Sequence, residues 1–524
     1  MNDQQYCVTV LDTSGIQEYV FGSNELKHII SASALVHFAT HEWVYETLAA
    51  LGKTNVSASG DFNDLQLLPD QLDSELVYSG GGNTVLLFRD PAQAVRFTQV
   101  LSKKVLLKAP GLEIVVAHSP LYAWDDSQQS LRDAVQATIT RVNQRKYARA
   151  HSTPLLGISV TADCQFTGQP AVGLNNDGRL VSAEIKAKIE AYPQAETRLD
   201  QAIPSGFRNY KDFANNFDQV GEKNSSSFLA VAHIDGNGMG QRVADIVANP
   251  ACLDNRVYIN TIRAFSLSIQ IAAQEALRAI TIEVVRNEGG KIGGVVPVKG
   301  NVVPFRPIVF GGDDVTFVCD GRLGIGLARL YLEKLASYPL NSDPASSLGN
   351  LPAMTARAGV AIVKTHFPFS QAYQLASSLE HSAKVFIKDQ GGNLSAMDWH
   401  FAGSGPLLEI EEIRRREYKT TFGELSMRPV EIGSQAQWRS WKTFSQITQN
   451  LLEKGKTQKN KIMALREIAR NGPQAVSNFL QVGGCPELLV PVRGYQDSER
   501  NGWISQHCTF FDAIEAMDFF VDFK

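Results

Sequence analysis

Two adjacent aspartates stand in a glycine turn inside an otherwise apolar part of the sequence. Asp313 and Asp314 follow Gly311 and Gly312 within the range 307–318. This pattern predicts a β-hairpin with both carboxylates at its tip. Adjacent carboxylates repel each other, whereas a divalent cation keeps both ionised and binds them. Because Mg²⁺ takes a few carboxylates together with phosphates and water, the tip predicts a site for Mg²⁺ (or Mn²⁺).

A third aspartate follows another apolar, strand-like segment. Asp235 comes shortly after residues 228–232, and a strand paired with the hairpin would place its carboxylate at the same sheet edge. Three acids at one edge can hold two Mg²⁺ ions about 3.5–4 Å apart, one activating a hydroxyl and one bridging triphosphate oxygens. We therefore predict that Asp235, Asp313 and Asp314 are catalytic metal ligands of a phosphoryl-transfer site that acts on a triphosphate.

Small and basic residues near these acids are candidates for nucleotide binding. Lys384 and Lys388 are four residues apart in a helix predicted over 370–388, and either could reach triphosphate oxygens. Lysines near a helix C-terminus are also favoured where no ligand binds. Glycines leave room for a phosphate chain to pass close to the backbone. The predicted nucleotide-binding residues next to the acids are Gly236, Asn237, Gly238, Gly311 and Gly312.

The N-terminal part of the chain repeats this pattern without the acid pair. Asp12, like Asp235, follows an apolar segment and is followed by glycine three places later, and residues 79–83 (SGGGN) correspond to residues 310–314 (FGGDD). We interpret this as two copies of a strand–helix–hairpin unit; the alternative is two unrelated glycine hairpins. One carboxylate cannot build a two-metal site, so the first copy is predicted to be a structural partner. It can still bind nucleotide, through Gly81, Gly82 and Asn83.

Around the two copies the sequence divides into four predicted domains of an α+β protein. Residues 1–150 form the first unit, 151–225 an irregular connector, 226–402 the second unit and 405–524 a mostly helical domain. A chain of 524 residues that is 44% hydrophobic is long enough to bury large cores.

Composition restricts the class of protein. The net charge is -4, so no global basic field indicates nucleic-acid binding. The six cysteines form no CxxC pair, which argues against a disulfide framework or an intact zinc site. Neither a signal peptide nor an apolar segment of about 20 residues is recognisable, and we expect a cytoplasmic protein without membrane contact. Residues 454–470 hold six basic residues and one acid, and 414–416 is an arginine run. Both could contact RNA, although such stretches are more often solvated.

Two such units, the second with GGDD and the first degenerate, resemble the large polymerase-like, palm-domain subunit of type III CRISPR effector complexes. The segments at 383–384 and 391–393 are also similar to the end of GGDEF-type nucleotide cyclases. Residues 164–171 (CQFTGQPA) look like the start of that family's zinc ribbon, with Thr167 in place of the second cysteine, so no zinc is expected. The resemblance implies two ferredoxin-like palm domains related by internal duplication, a degenerate zinc-ribbon-like connector and a C-terminal helical domain.

The resemblance also implies an activity. The family makes 3′–5′ linked cyclic oligoadenylate second messengers from ATP in antiviral defence, with guide RNA and CRISPR effector subunits as partners. Asp235, Asp313 and Asp314 carry over as metal ligands and Lys384 more loosely, whereas Asn237 stands where the family often has Asp. The family's N-terminal HD nuclease is not recognisable, so DNase activity is not expected. Two alternatives stay open: an RNA-binding scaffold with little catalysis, and a stand-alone cyclic dinucleotide synthase. The oligomeric state is open as well, a homo-oligomer included.

Overall fold

The computed structural model describes residues 5–125, 130–148, 160–221, 227–298, 300–341, 350–403, 409–433, 438–495 and 498–523. The protein is a mixed α/β structure with several sheets, and about half of it is helical. The predicted boundary between the first unit and the connector lies outside the described residues.

The N-terminal unit is built on a five-stranded sheet centred on one long, buried strand. Its strands are β1 (Gln5–Ser14), β2 (Ser74–Gly80), β3 (Asn83–Phe88), β4 (Glu113–His118) and β5 (Tyr122–Ala123). Its helices are α1 (Ile16–Phe21), α2 (Leu26–Thr40), α3 (Glu42–Leu51), α4 (Leu67–Asp70), α5 (Pro91–Lys108) and α6 (Leu131–Ala148).

The connector contains a long helix, so the prediction that it is irregular throughout is wrong. Its elements are β6 (Ala171–Leu174), β7 (Leu180–Ser182), α7 (Ala183–Ala202), β8 (Asp212–Phe213) and α8 (Phe217–Val220). Pro193 lies inside α7, where proline removes a hydrogen bond and normally disfavours a helix. Helix α7 nevertheless forms because one face packs against α2 and is buried. Tertiary packing outweighs local propensity here.

The second unit holds a longer sheet between helices on both faces. Its strands are β9 (Phe228–Gly236), β10 (Asn287–Glu288), β11 (Lys291–Ile292), β12 (Val296–Pro297), β13 (Val302–Val303), β14 (Phe305–Val309), β15 (Val315–Asp320), β16 (Leu340–Asn341), β17 (Asn350–Leu351), β18 (Ala356–Lys364) and β19 (Ser395–Phe401). Its helices are α9 (Met239–Ala248), α10 (Asn255–Val285), α11 (Gly324–Leu335) and α12 (Phe369–Asp389).

The C-terminal region is mainly helical, has a small sheet of its own and adds one strand to the second unit. Its helices are α13 (Ile410–Glu417), α14 (Trp441–Ala469), α15 (Pro473–Val482), α16 (Ser498–Asn501) and α17 (Phe511–Ala516). Its strands are β20 (Lys419–Thr420), β21 (Gly423–Glu424), β22 (Val430–Ile432), β23 (Trp503–Ile504) and β24 (His507–Cys508). Strand β22 pairs with β19 and so extends the second sheet.

The sheets of the two units have the same strand order and directions. The first runs β2-β3-β1-β4, and the second begins β14-β15-β9-β18, with antiparallel pairing throughout these strands. This is the order of a βαββαβ sheet. The register also agrees, because Leu11 pairs with Thr84 and Ile234 with Val315. Leu11 and Ile234 come directly before the leading aspartates, and Thr84 and Val315 come directly after the two glycine turns.

Two local irregularities recur at corresponding places in the units. Strand β2 shifts register between Leu76 and Tyr78, and β14 does so between Pro307 and Val309. The helix after the central strand begins in both units behind a left-handed glycine. Gly15 has φ 64°, ψ 25° and Gly238 has φ 65°, ψ 23°. The shared backbone supports the hypothesis of an internal duplication, which stays a prediction.

Alternate residues of β9 face two different cores. Ala230, Ala232 and Ile234 pack with α10 and α11, whereas Leu229 and Val231 pack with α12. Because side chains alternate along a strand, Asp235 belongs to the α12 face.

Within the described residues, none of the helices combines the length and the apolar character that crossing a bilayer requires.

Candidate active site

The three predicted acids lie at the same edge of the second sheet. Asp235 is the penultimate residue of β9, and Asp313 and Asp314 lie in the turn between β14 and β15. A β-carbon built on Gly236 would stand 3.0 Å from that of Asp313. The turn therefore closes directly over the end of β9, as the sequence predicts.

Arg357 of β18 forms an ion pair with the carboxylate of Asp235. The two residues are opposite each other in the register of β9 and β18, and the guanidinium of Arg357 forms ion pairs with both Asp235 and Glu380 of α12. It also donates to the carbonyl oxygen of Gly236 at 2.8 Å and to the side-chain oxygen of Asn237 at 3.2 Å. Arg357 is buried, with 6% of its surface exposed. One buried cation thus holds the end of β9 and its acid.

Burial raises the pKa of Asp235 to about 6. The charge of Arg357 opposes this shift, and the charges of Asp313, Asp314 and Glu380 add to it. These neighbouring negative charges make ionisation of Asp235 more costly, so a bound cation would lower that cost.

The turn acids have different surroundings. Burial, followed by the charge of Asp314, raises the pKa of Asp313. Oδ1 of Asp314 lies 3.3 Å from Nδ1 of His233 and has no other polar partner among the described residues. Burial acts to lower the pKa of His233, but the carboxylate of Asp314 raises it above its ordinary value. The buried hydroxyl of Tyr331, whose pKa is raised by burial and by both turn acids, also lacks a partner among those residues.

The glycine turns of the two units approach each other closely, and both line one cavity. A β-carbon built on Gly312 would come 3.9 Å from the backbone nitrogen of Gly81. The cavity has a volume of about 170 Å³ and is partly open to solvent, which is smaller than the roughly 300–1,000 Å³ of pockets that hold drug-sized ligands. Helices α6, α9 and α10 supply mostly apolar walls. The turn residues that line the cavity are Gly80, Gly81, Asn83, Gly312 and Asp313.

The remaining predicted nucleotide-binding residues do not line this cavity. Asn237 is held by the backbone of 355 and 394, its side chain donating to the Leu394 carbonyl at 2.9 Å. Gly82 lies beside the hydroxyl of Thr13. Lys384 and Lys388 are exposed on α12. Within the described part of the chain, neither lysine is paired with an acid of the turn.

The predicted metal ligands are not arranged as a complete cation cage. Among the described residues, which include all three acids, no group of three or more His, Cys, Asp or Glu side chains is placed to hold a metal ion. The reason is electrostatic: Asp235 is directed to Arg357, and Asp314 to His233. The acid chemistry still suits a hard cation, because Mg²⁺ needs only one or two protein carboxylates beside phosphate and water. Oδ1 of Asp314, which has no polar partner other than His233 among the described residues, is a carboxylate oxygen suited to such a cation.

Sequence reasoning missed the residues that surround the acids. Arg357, His233 and Glu380 were assigned no role from the sequence. The sequence offers one signal for this network: Arg357 is a charged residue inside an apolar strand, and a buried charge requires a partner. Its pairing with Asp235 depends on strand register and follows from the fold alone.

The zinc-ribbon-like segment is held by hydrogen bonds. The Cys164 backbone N–H donates to the Gln169 carbonyl at 2.7 Å, and the Gly168 N–H to the Cys164 carbonyl at 2.9 Å. Against the effect of burial, the Thr167 hydroxyl and nearby backbone N–H groups lower the pKa of the Cys164 thiol. Thr167 thus contacts the sulfur of Cys164.

Part of the basic tail is engaged within the protein. Lys461 donates to the Gly483 carbonyl, Arg466 pairs with Glu515, and Arg414 pairs with Asp398. Lys454 and Lys456 make no such bond among the described residues. The tail therefore offers a smaller basic surface than its sequence suggests.

Comparison with known proteins gives structural matches only. The sequence matches no family model and no curated protein. The fold matches a Csm1-Csm4 cassette in complex with cA4, with TM-score 0.55 and 12% identity over 99% of this chain and 70% of that chain. The chain shares that fold.

Two further solved structures agree with this match. The cassette in complex with one ATP gives TM-score 0.54 at 13% identity, covering 99% of this chain and 70% of that chain. The Csm1-Csm4 subcomplex in the type III-A CRISPR-Csm interference complex gives TM-score 0.53 at 12% identity, with the same coverage. The match to Csm1-Csm4 chains thus extends over nearly the whole of this chain and establishes the fold.

Proposed function

We propose that this protein is a nucleotidyltransferase that links ATP into a 3′–5′ cyclic oligoadenylate-type second messenger, as part of a type III CRISPR defence system. The cavity carries this proposal, because the turns of both units, and Asp313 with them, line it together. The fold adds support, since structures that share it were solved with ATP and with cA4.

The protein's own residues have separate tasks in this proposal. The apolar helix faces around Val243, Tyr258 and Phe265 suit a purine base. Asp235, Asp313 and Asp314 would hold Mg²⁺ or Mn²⁺, which when bound would neutralise phosphate charge and favour an ionised 3′-hydroxyl. Lys384 and Lys388 remain candidates for contact with the triphosphate from α12.

A scaffold function is the second candidate, and one observation favours it. Arg357 already neutralises Asp235, so the site holds together without a cation. In that case the chain would serve as a docking subunit for guide RNA and effector proteins, with Lys454 and Lys456 of α14 as candidate RNA contacts.

Product analysis decides between these functions. The purified protein is incubated with ATP, GTP or both and with Mg²⁺ or Mn²⁺, with and without copurifying RNA, and the products are identified by mass spectrometry. We expect a cyclic adenylate product from ATP that disappears in the Asp313→Asn/Asp314→Asn double variant. Product that persists in the double variant would exclude this site. No product from the wild type under any condition would favour the scaffold, and a cyclic dinucleotide would indicate the stand-alone synthase.

A further inference from the structure

The β14 side of the acid turn is held by an arginine that belongs to neither unit. Nη2 of Arg198, on the connector helix α7, donates to the carbonyl oxygen of Phe310 at 2.6 Å. Its guanidinium carbon also lies 4.0 Å from the centre of the Phe310 ring. Strand pairing of β14 ends at Val309, so the Phe310 carbonyl lies beyond the ladder. Arg198 thus holds Phe310, the first residue after β14 that strand pairing does not hold.

Arg198 is an unusual cation for a purely structural contact. It is 9% exposed and forms no ion pair among the described residues. Burial lowers its pKa to about 10, and the charge of Glu42 opposes that shift. Burying a cation is costly, and a charge-assisted bond to a carbonyl together with an aromatic face offsets part of that cost.

The corresponding position of the first unit is held by a neutral side chain. Ser79 precedes the first turn as Phe310 precedes the second, and its carbonyl accepts from Nε2 of Gln270 at 3.1 Å. The turn held by an amide carries Gly82 and Asn83, whereas the turn held by the guanidinium carries two acids. Mutual repulsion of Asp313 and Asp314 destabilises the turn that carries them. The charged donor, which forms the stronger hydrogen bond, holds that turn, and the neutral donor holds the turn without acids.

Helix α7 is itself anchored on both sides of the site. Lys188 donates to the Tyr19 carbonyl of α1 at 2.6 Å, and Glu196 pairs with the buried Arg306 of β14. Helix α7 therefore connects the first unit to the hairpin of the second. A β-carbon on Gly311 would lie 3.3 Å from Nη2 of Arg198, so guanidinium and turn are closely packed.

We propose that Arg198 is a positioning residue: it holds the 311–314 turn so that Asp313 and Asp314 meet metal and nucleotide in one geometry. The inference rests on the proposed function and assigns the connector helix a part in it. Arg198 acts on the turn backbone and not on the reacting atoms.

The test compares Arg198→Gln with Glu196→Gln, which breaks an ion pair between the same helix and the same strand but leaves the turn bond. For Arg198→Gln we expect faster amide hydrogen exchange over 311–314 and weaker Mn²⁺ binding by EPR in the presence of a non-hydrolysable ATP analogue. We also expect kcat to fall by about 10–100-fold, because small misplacements of reacting groups have effects of that order, with KM changed by less than about threefold. Glu196→Gln should lower Tm while leaving turn exchange and kcat near wild type.

The outcomes separate this inference from the proposed function. Wild-type exchange over 311–314 and unchanged Mn²⁺ binding in Arg198→Gln would overturn the positioning role, as would an equal loss of kcat in Glu196→Gln. If Arg198→Gln does not fold, Arg198→Met, which keeps a long side chain but has no donor, is measured in the same way, and wild-type exchange again overturns the proposal. A wild-type protein that makes no product contradicts the proposed function, while the exchange and Mn²⁺ data still decide the role of Arg198.

Discussion

In the N-terminal unit Asp12 pairs with Lys146 of α6 at 2.6 Å, and in the second unit Asp235 pairs with Arg357 of β18. The two aspartates lie near the ends of corresponding strands in the same register, but their cations come from different elements. Lys146 and Asp12 are partly exposed, whereas Arg357 is buried. The side chain of Asp235 is itself 32% exposed, so the difference lies in the cation, which is partly exposed in the first unit and buried in the second. The difference lies in a few side chains and not in the sheet.

The largest expected effect concerns the leading aspartates. Asp235→Asn should lower product formation by on the order of 10²–10³-fold, because it removes charge where a cation and phosphates would be stabilised. Asp12→Asn should stay within about threefold of wild type, as expected for a substitution away from the chemistry. Product formation under saturating ATP measures both. Equal losses of product formation in the two variants would show that the first unit is also catalytic, and would contradict the prediction that it is a structural partner.

The paired cations should differ in their effect on stability. Arg357→Gln should lower the free energy of unfolding by about 3–5 kcal/mol, because it leaves Asp235 and Glu380 without a buried partner. Lys146→Gln should cost about 0.2–1 kcal/mol, since its pair is partly solvated. Urea unfolding of both variants in EDTA gives these values. Added Mg²⁺ should restore part of the loss in Arg357→Gln only; a loss below 1 kcal/mol would show that Arg357 is dispensable.

The smallest difference between the two units is expected where their backbones are equivalent. Gly15→Ala and Gly238→Ala each place a β-carbon at a left-handed position with nothing within 4 Å, so each should cost about 1–2 kcal/mol through backbone strain alone. The two free energies of unfolding, measured side by side, should agree closely. A clear difference would mean that the matching angles conceal different local packing.

The sequence predicted the parts of this site that depend on local pattern. The glycine turn, the strands on either side of it and helix α12 appear close to the predicted ranges, because apolar runs and glycine pairs determine them locally. Helix α7 was missed because Pro193 and a mixed composition hide its period, and its stability comes from packing against α2. Metal binding and the assignments of Lys384 and Lys388 stay predictions.

The sequence by itself placed Asp235, Asp313 and Asp314 at the ends of strands and related residues 79–83 to residues 310–314, because both follow from spacing along one chain. Only the tertiary structure decided that the two turns face one cavity. It also decided that Arg357 pairs with Asp235 and that Arg198 holds the Phe310 carbonyl. Those contacts join residues far apart in sequence, so their energies depend on register and helix packing, which no local pattern encodes.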